Sequence, residues 1–363
     1  MSDTVDVSTL PLARSLVTTL ITHGFRFVSE LKSLKPLDLA KELDISADDA
    51  LLILQSVANP TGESIKSASA KEIYLQMEHS KSIITFSRSI DKLLGGGVPL
   101  GQLTEFCGVP GIGKTQMAMQ LVLDVQIPEI LGGVGGDAIY IDTEGSFLID
   151  RVVNMANVLS NHLQKIAKQS KRKKASSSSS VETNEIDRNK QNAADAMTKE
   201  RLLAGINIFR VHDQTELLGI INNLLAYMAL HPNIKLIVID SIAFHFRQDL
   251  QDTISRNRIL CNVAQILNQV AYTYNVGIVL INHVTTRYDR NVSGLNSRII
   301  PSLGEQWSHC ITSRIMLTWS DQQRIATLVK SPSRPMGAVE FEVNENGIRD
   351  KKVETTKRSI ENE

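Results

Sequence analysis

The sequence predicts an α/β protein, with a largely parallel, helix-covered central sheet preceded by a small all-helical domain. Three observations carry this. From about residue 83, short apolar runs alternate with longer helix-like segments, which is the pattern of βαβ units. Residues 10–58 are instead rich in Leu, Ile, Val and Ala at helical spacing. A Gly-rich turn, Gly108 to Thr115, follows one apolar run and precedes a helix-like segment.

Taken in chain order, Leu16, Leu20 and Ile21 form one helical stripe, and Leu51, Leu52 and Leu54 another. His23-Gly24 reads as a helix stop and Ser46 to Asp49 as a capped helix start. Residues 1–58 are thus expected to form the N-terminal helical domain. Residues 59–82 open on Asn-Pro-Thr-Gly and read as a linker, with one short helix near Ile73 to Met77. Residues 83–350 form the core. Its strands are expected at Leu103–Phe106, Ala138–Ile141, Ile206–Val211, Leu236–Ile239 and Gly277–Ile281. Closer-spaced runs from Ser313 to Val343 suggest antiparallel strands at one sheet edge. Residues 160–200 carry Lys171 to Lys174 and then Ser176 to Ser180. This polar composition reads as a low-complexity insertion with a disordered middle, and residues 351–363 as a disordered tail.

The 363 residues suit two domains at about 100–200 residues each. With 42% hydrophobic and 21% charged residues, disorder of the whole chain is excluded. No apolar run approaches the ~18 residues that span a bilayer, so no membrane partner is expected. No basic patch followed by an apolar core marks a secretory signal. Lys plus Arg (39) equals Asp plus Glu (39). Any nucleic-acid contact must therefore come from local clusters. The three cysteines, Cys107, Cys261 and Cys310, are odd in number and widely spaced. They fit neither a disulfide framework nor a zinc site, and a reducing intracellular compartment suits them best.

Gly108-Val109-Pro110-Gly111-Ile112-Gly113-Lys114-Thr115 fits the spacing of a phosphate-binding loop. Glycines let the backbone N–H groups wrap phosphates, and the following helix start adds positive potential. Lys114 is placed to neutralise β/γ-phosphate charge and Thr115 to ligate Mg²⁺, which makes ATP with magnesium the expected ligand. Leu236 to Asp240 is an apolar strand ending in a carboxylate, suited to holding the magnesium shell. Many buried strands end in Asp, and the pairing with the loop gives this one its meaning. Asp142 and Glu144 sit just past another apolar strand. Glu144 either polarises a water for in-line attack on the γ-phosphate or, with Asp142, caps the next helix.

Together these segments resemble the RecA/RadA family of strand-exchange recombinases, and within it the eukaryotic C-type paralogues of homologous-recombination repair. The resemblance runs from about residue 10 to 350, with the insertion outside it. It is carried by Leu94 to Pro99, Gly108 to Thr115, Asp124 to Pro128, Asp142 to Phe147, Asp150 to Val152, Ala243 to Arg247 and Lys330 to Pro332. It implies a RecA-type P-loop ATPase core behind a helix-hairpin-helix-like domain, with Glu144 as the water-activating carboxylate beside Lys114. It marks Arg247 to Asp252 and about Val284 to Ser302 as similar to the two DNA-binding loops. The candidate DNA contacts are thus Arg247, Arg287, Arg290 and Arg298. Arginines beside an aromatic, Tyr288, suit phosphate contact and base stacking.

Three positions depart from the family pattern. His283 stands where members usually carry the Gln that senses the γ-phosphate. Imidazole can also donate a hydrogen bond, with a different reach. Self-polymerising members carry Phe-x-x-Ala in the linker, and the equivalent here is Ser67 to Ala70. The hairpin glycines of the helical domain are replaced around Glu42 to Ser46, where acidic groups repel phosphate. The segment at Lys330 and Pro332 resembles one that caps a neighbour's nucleotide. Alternatively, Lys330 is a surface lysine at a strand end.

The resemblance implies a DNA-dependent ATPase that binds single- and double-stranded DNA or junctions. It would act in a hetero-oligomer of recombinase paralogues that supports recombinase filament assembly or Holliday-junction processing. The rivals are a self-polymerising recombinase, an ATP-binding scaffold with negligible hydrolysis, and a hexameric helicase. The helicase should not carry the helical domain or the Lys330 segment. Lys171 to Lys174 reads as a nuclear import signal, a solubilising loop or a loose DNA contact. The nucleus, with the cytoplasm second, is the expected location.

Overall fold

The computed structural model describes residues 6–10, 12–31, 34–58, 69–72, 74, 81–174, 181–248, 253–288 and 297–351. The chain divides into two compact units, residues 1–79 and 80–363.

The first unit is helical. Helices Arg14–Thr22, Val28–Leu31, Pro36–Leu43 and Ala47–Ala58 enclose a core of Leu20, Leu31, Leu39, Leu43, Ile53 and neighbours. Gly24 takes a left-handed φ of 94° just after the first long helix, as the His23-Gly24 stop requires. Ser46 opens the last helix: Asp49 N–H donates to Ser46 Oγ at 3.0 Å, and Ser46 Oγ donates back to Asp49 at 2.7 Å. Between the last two helices Asp44 adopts φ 52°, the turn conformation that glycine usually fills. The buried face of the last helix differs from the expected stripe. Ala50, Ile53 and Val57 are buried, and Leu51 and Leu52 are exposed. Positions 50, 53 and 57 keep the helical period, whereas adjacent leucines point apart. The linker helix lies largely outside the described residues, apart from a capping box in which Glu72 N–H donates to Ser69 Oγ at 3.2 Å.

The second unit is built on a nine-stranded sheet. Strands are labelled β1 (Ser82–Ile83), β2 (Val98–Pro99), β3 (Leu103–Gly108), β4 (Asp137–Asp142), β5 (Ile206–Arg210), β6 (Ile234–Asp240), β7 (Gly277–Asn282), β8 (Val284–Tyr288), β9 (Ser297–Pro301), β10 (Ser313–Ser320), β11 (Gln323–Lys330), β12 (Gly337–Asn344) and β13 (Gly347–Asp350). The order is β13-β12-β11-β10-β3-β7-β6-β4-β5. Strands β10, β3, β7, β6, β4 and β5 run parallel, and β11 to β13 add antiparallel strands at one edge, as expected. Parallel strands covered on both faces must be apolar throughout, which is why they stand out in the sequence. Alternate residues of β6 feed two cores. Leu236 and Val238 join Phe106, Leu121 and Tyr140 on one face. Ile237 and Ile239 join Leu224, Leu267 and Trp307 on the other.

The insertion is more ordered than its composition suggests. Helix Ile149–Lys174 runs up to the serine tract, and helix Val181–Ala196 resumes after it. Leu159, Leu163 and Ala167, four residues apart, pack into the first core with Ala194 and Met197. An apolar stripe inside a polar helix is enough to anchor it. Residues 175–180 lie outside the described residues, as does the tail after residue 351.

Candidate nucleotide and DNA sites

Strand β3 delivers the loop that opens helix Lys114–Asp124. Gly108 packs so closely on β10 that a Cβ there would lie 2.4 Å from the Leu317 carbonyl oxygen. Gly113 precedes the helix with φ 115° and supplies no side-chain cap. The N–H groups of the first helical turn thus remain free to meet an anion. Lys114 is buried, and its ammonium donates to the carbonyls of Gly108 at 2.9 Å and Val109 at 3.0 Å. Burial is the main force lowering its pKa, opposed by Asp240 and Glu144. A buried cation beside an uncapped helix start fits a polyphosphate.

The acids come from neighbouring strand ends, with Asp142 of β4 in register with Asp240 of β6. Asp240 is buried and accepts the Tyr140 hydroxyl at 2.7 Å. Burial raises its pKa, while hydrogen bonds from Tyr140 and Thr115 act the other way. Thr115 and Asp240 therefore lie together, an oxygen pair that suits magnesium. Among the described residues no group of three or more His, Cys, Asp or Glu could hold a metal. At phosphate sites Mg²⁺ needs only one or two protein oxygens beside phosphates and waters.

Asp142 has a structural task. Its carboxylate accepts the N–H groups of Ser146 at 3.0 Å and Phe147 at 3.3 Å, fixing the turn that presents Glu144. Thr143 ties that turn to β6: its N–H donates to Asp240 O at 2.9 Å, and its hydroxyl accepts Ser241 N–H at 2.7 Å. Glu144 Oε1 lies 2.7 Å from His283 Nε2 and also accepts the Ser241 hydroxyl. Ser241 Oγ is 3.1 Å from the same imidazole nitrogen. The His283 hydrogen bond is the main cause holding the Glu144 carboxyl below its usual range, and burial opposes it.

From His283 a hydrogen-bonded path runs to the second candidate DNA segment. Ser302 N–H donates to His283 O at 3.0 Å, and its hydroxyl donates to Asn282 Oδ1 at 2.8 Å. The Asn282 amide donates to Glu105 at 2.8 Å. Glu105 is fully buried and also accepts Trp307 Nε1–H at 2.7 Å and the Arg314 guanidinium. The segment itself is not a plain connection. Strands β8 and β9 form an antiparallel ribbon in which Arg287 and Arg298 are register partners, both exposed. Like charges placed opposite each other repel, and a phosphate between them would relieve this. Arg290 lies outside the described residues, as does the side chain of Arg247, whose backbone lies in helix Phe244–Gln248.

Two comparisons with known proteins bear on this site. The Rad51 family matches the chain over residues 78–180 and 183–351, which include every strand of the second unit. The chain belongs to the Rad51 family. It is similar to "DNA repair protein RAD51 homolog 3" of Cricetulus griseus, at 39% identity over 98% of this chain and 95% of the relative. The protein of the same name from Dictyostelium discoideum is 40% identical over 78% of this chain and 69% of the relative.

In this Rad51-family chain one expected site residue turns inward. Lys330 Nζ donates to the carbonyls of Ser308 at 2.7 Å, His309 at 3.3 Å and Ile311. It caps helix Gly304–Cys310 in its own chain, because the orphan carbonyls of a helix end attract the nearest cation. Lys330 was expected either to reach a neighbour's nucleotide or to be a surface lysine at a strand end, and within its own chain it has this capping task, while Pro332 sits in the exposed turn after β11. Tyr140, Thr143, Ser241 and Glu105 went unnoticed in the sequence. A carboxylate within the apolar run of β3 was the signal for Glu105. At the other sheet edge, β5 borders a cavity of about 590 Å³ lined by Phe209, Ile220, Leu224, Tyr227, Arg210 and Glu216.

Proposed function

We propose that this Rad51-family chain is an ATP-dependent DNA-binding protein of homologous-recombination repair, acting as a recombinase paralogue within a hetero-oligomer. The reading includes support of recombinase filament assembly or Holliday-junction processing, and a nuclear location. The observation that carries it is the unbroken set of contacts from Glu144 through His283 and Ser302 to the Arg287–Arg298 ribbon.

The N–H groups from Gly108 to Thr115 and the Lys114 ammonium would hold the phosphates. Thr115 and Asp240 would hold Mg²⁺, which when bound neutralises charge on the phosphoryl oxygens. Glu144 orients a water and takes its proton at Oε1, the atom that already faces His283. A carboxylate held below its usual range is ionised and ready as an acceptor at neutral pH. His283 carries the change in hydrogen bonding at Glu144 to the ribbon through its backbone carbonyl and Ser302.

One observation favours a second reading, a scaffold that binds ATP and scarcely hydrolyses it. Glu144 Oε1, the atom assigned the proton, is already engaged by both Ser241 and His283, so it must give up a partner before it takes a proton from water.

Assembly with other paralogues is supported by the cavity beside β5, which suits an aromatic anchor from a different chain. Donor and acceptor surfaces are separate in head-to-tail assemblies. Ser67, outside the described residues, offers no such anchor in return. Electron microscopy of the pure chain with ATP, Mg²⁺ and single-stranded DNA tests this reading. Compact particles are expected, and regular filaments would instead favour a self-polymerising recombinase.

A further inference from the structure

Glu105 lies just upstream of Gly108 on β3 and is fully buried. A buried carboxylate is costly unless donors surround it, and here they come from three separate elements. Asn282 Nδ2–H, at the end of β7, donates to Oε1 at 2.8 Å. Trp307 Nε1–H, of helix Gly304–Cys310, donates to the same oxygen at 2.7 Å. The Arg314 guanidinium of β10 pairs with Oε2, and it also donates to Ser308 Oγ of that helix at 2.6 Å. Asn282, Trp307 and Arg314 are themselves buried. None of these side chains is among those assigned to the phosphates or to magnesium.

From this geometry we infer that Glu105 is a positioning residue for the DNA dependence of ATP hydrolysis: it orients the Asn282 carboxamide, which holds the Ser302 end of the β8–β9 ribbon against His283. The inference rests on the proposed function and names a residue that regulates its site. Paired with Arg314, the Glu105 carboxylate accepts and does not donate. The Asn282 amide nitrogen must therefore face it, and Oδ1 must face the other way. There Oδ1 accepts the Ser302 hydroxyl at 2.8 Å, while Ser302 N–H donates to His283 O at 3.0 Å. Ser302, the residue after β9, is thus held twice. Leu303 then opens helix Gly304–Cys310, whose Trp307 and Ser308 return to Glu105 and Arg314. The ribbon's end and the helix after it close on one carboxylate. A buried network with every donor answered has one arrangement. A shift of the ribbon then reaches His283, and through it Glu144, rather than being absorbed as slack at Ser302. Glutamine at position 105 would offer one acceptor oxygen where the carboxylate offers two, and would turn an N–H group toward a donor.

The test is steady-state ATP hydrolysis by the full chain, with and without a single-stranded poly(dT) oligonucleotide. Wild type, Glu105→Gln, Ser302→Ala and the double variant are compared. In the variants, stimulation by DNA should fall about threefold or more, the scale of one ordinary hydrogen bond, while ATP KM, the rate without DNA and DNA affinity stay within about twofold of wild type. The double variant should be stimulated as much as Glu105→Gln alone, because both changes cut one path. A merely structural role would instead move ATP KM and thermal stability together with stimulation. Ser302→Ala leaves no buried charge unpaired, so it decides the matter if the Glu105→Gln chain does not fold. Full stimulation in Ser302→Ala, or stimulation lost only in step with ATP binding, would overturn the inference and leave the proposed function standing. A wild-type rate indifferent to DNA would overturn the proposed function, and the inference with it.

Discussion

His283 Nε2 lies 2.7 Å from Glu144 Oε1, so the candidate γ-phosphate sensor directly touches the candidate catalytic carboxylate. The contact lowers the Glu144 pKa more than any other interaction. The carboxylate's contribution to stability is therefore present above the ordinary carboxylate range and lost as pH falls through its depressed folded value. Replacing the imidazole removes the largest lowering influence. His283→Ala is expected to move the acid limb of the hydrolysis profile to higher pH, with the rate near neutrality changed less. A pH–rate profile of both proteins checks this, and coincident acid limbs would show that the contact does not tune Glu144.

Lys114 is the buried cation of the phosphate loop. Lys114→Ala is expected to weaken ATP binding at least tenfold, about 1.4 kcal/mol. Equilibrium titration with a labelled nucleotide provides the measurement, and equal affinity in the two proteins would remove the loop from the nucleotide site.

Tyr140 donates to Asp240 from within the same sheet. Tyr140→Phe leaves this buried carboxylate with one donor fewer and should raise its pKa further. A proton then competes better with the metal, and the Mg²⁺ concentration for half-maximal ATP binding should rise about threefold or more, given the ~1 kcal/mol of an ordinary hydrogen bond. A magnesium titration at fixed ATP decides the matter. No change would mean that Asp240 is charged irrespective of Tyr140.

Arg287 and Arg298 face each other across the ribbon. Their joint replacement by Ala should weaken single-stranded DNA binding and flatten its salt dependence, by about 0.7 of a log–log unit for each lost phosphate contact. If binding at several salt concentrations shows the same slope as wild type, the DNA contacts lie elsewhere.

The parallel strands were legible because burial on both faces demands uninterrupted apolar runs, as in Leu236 to Ile239. The loop from Gly108 to Thr115 and the acids Asp142, Glu144 and Asp240 were legible as a candidate site because phosphate chemistry fixes both residue type and spacing. The β8–β9 ribbon was not, since Val284-Thr-Thr-Arg-Tyr lacks a clean apolar alternation. The helices around the serine tract were hidden because Leu159, Leu163 and Ala167 are few among many polar residues. Tyr140, Thr143 and Ser241 gain their roles from the pairing of β4 with β6, which places Asp142 beside Asp240. Their hydroxyls carry no local signature of that pairing. Lys330 shows the limit of position alone, because the carbonyls that hold it come from a different element.

Steady-state ATP hydrolysis with and without single-stranded DNA, in wild type and Glu144→Gln, tests the central claim most directly. The Gln variant keeps the shape of the side chain and loses the charge that accepts the proton. DNA should raise the wild-type rate, and Glu144→Gln should bind ATP normally while hydrolysing it about 100-fold more slowly or less, in the range of general-base loss. A wild-type rate indifferent to DNA and matched by the variant would contradict the account.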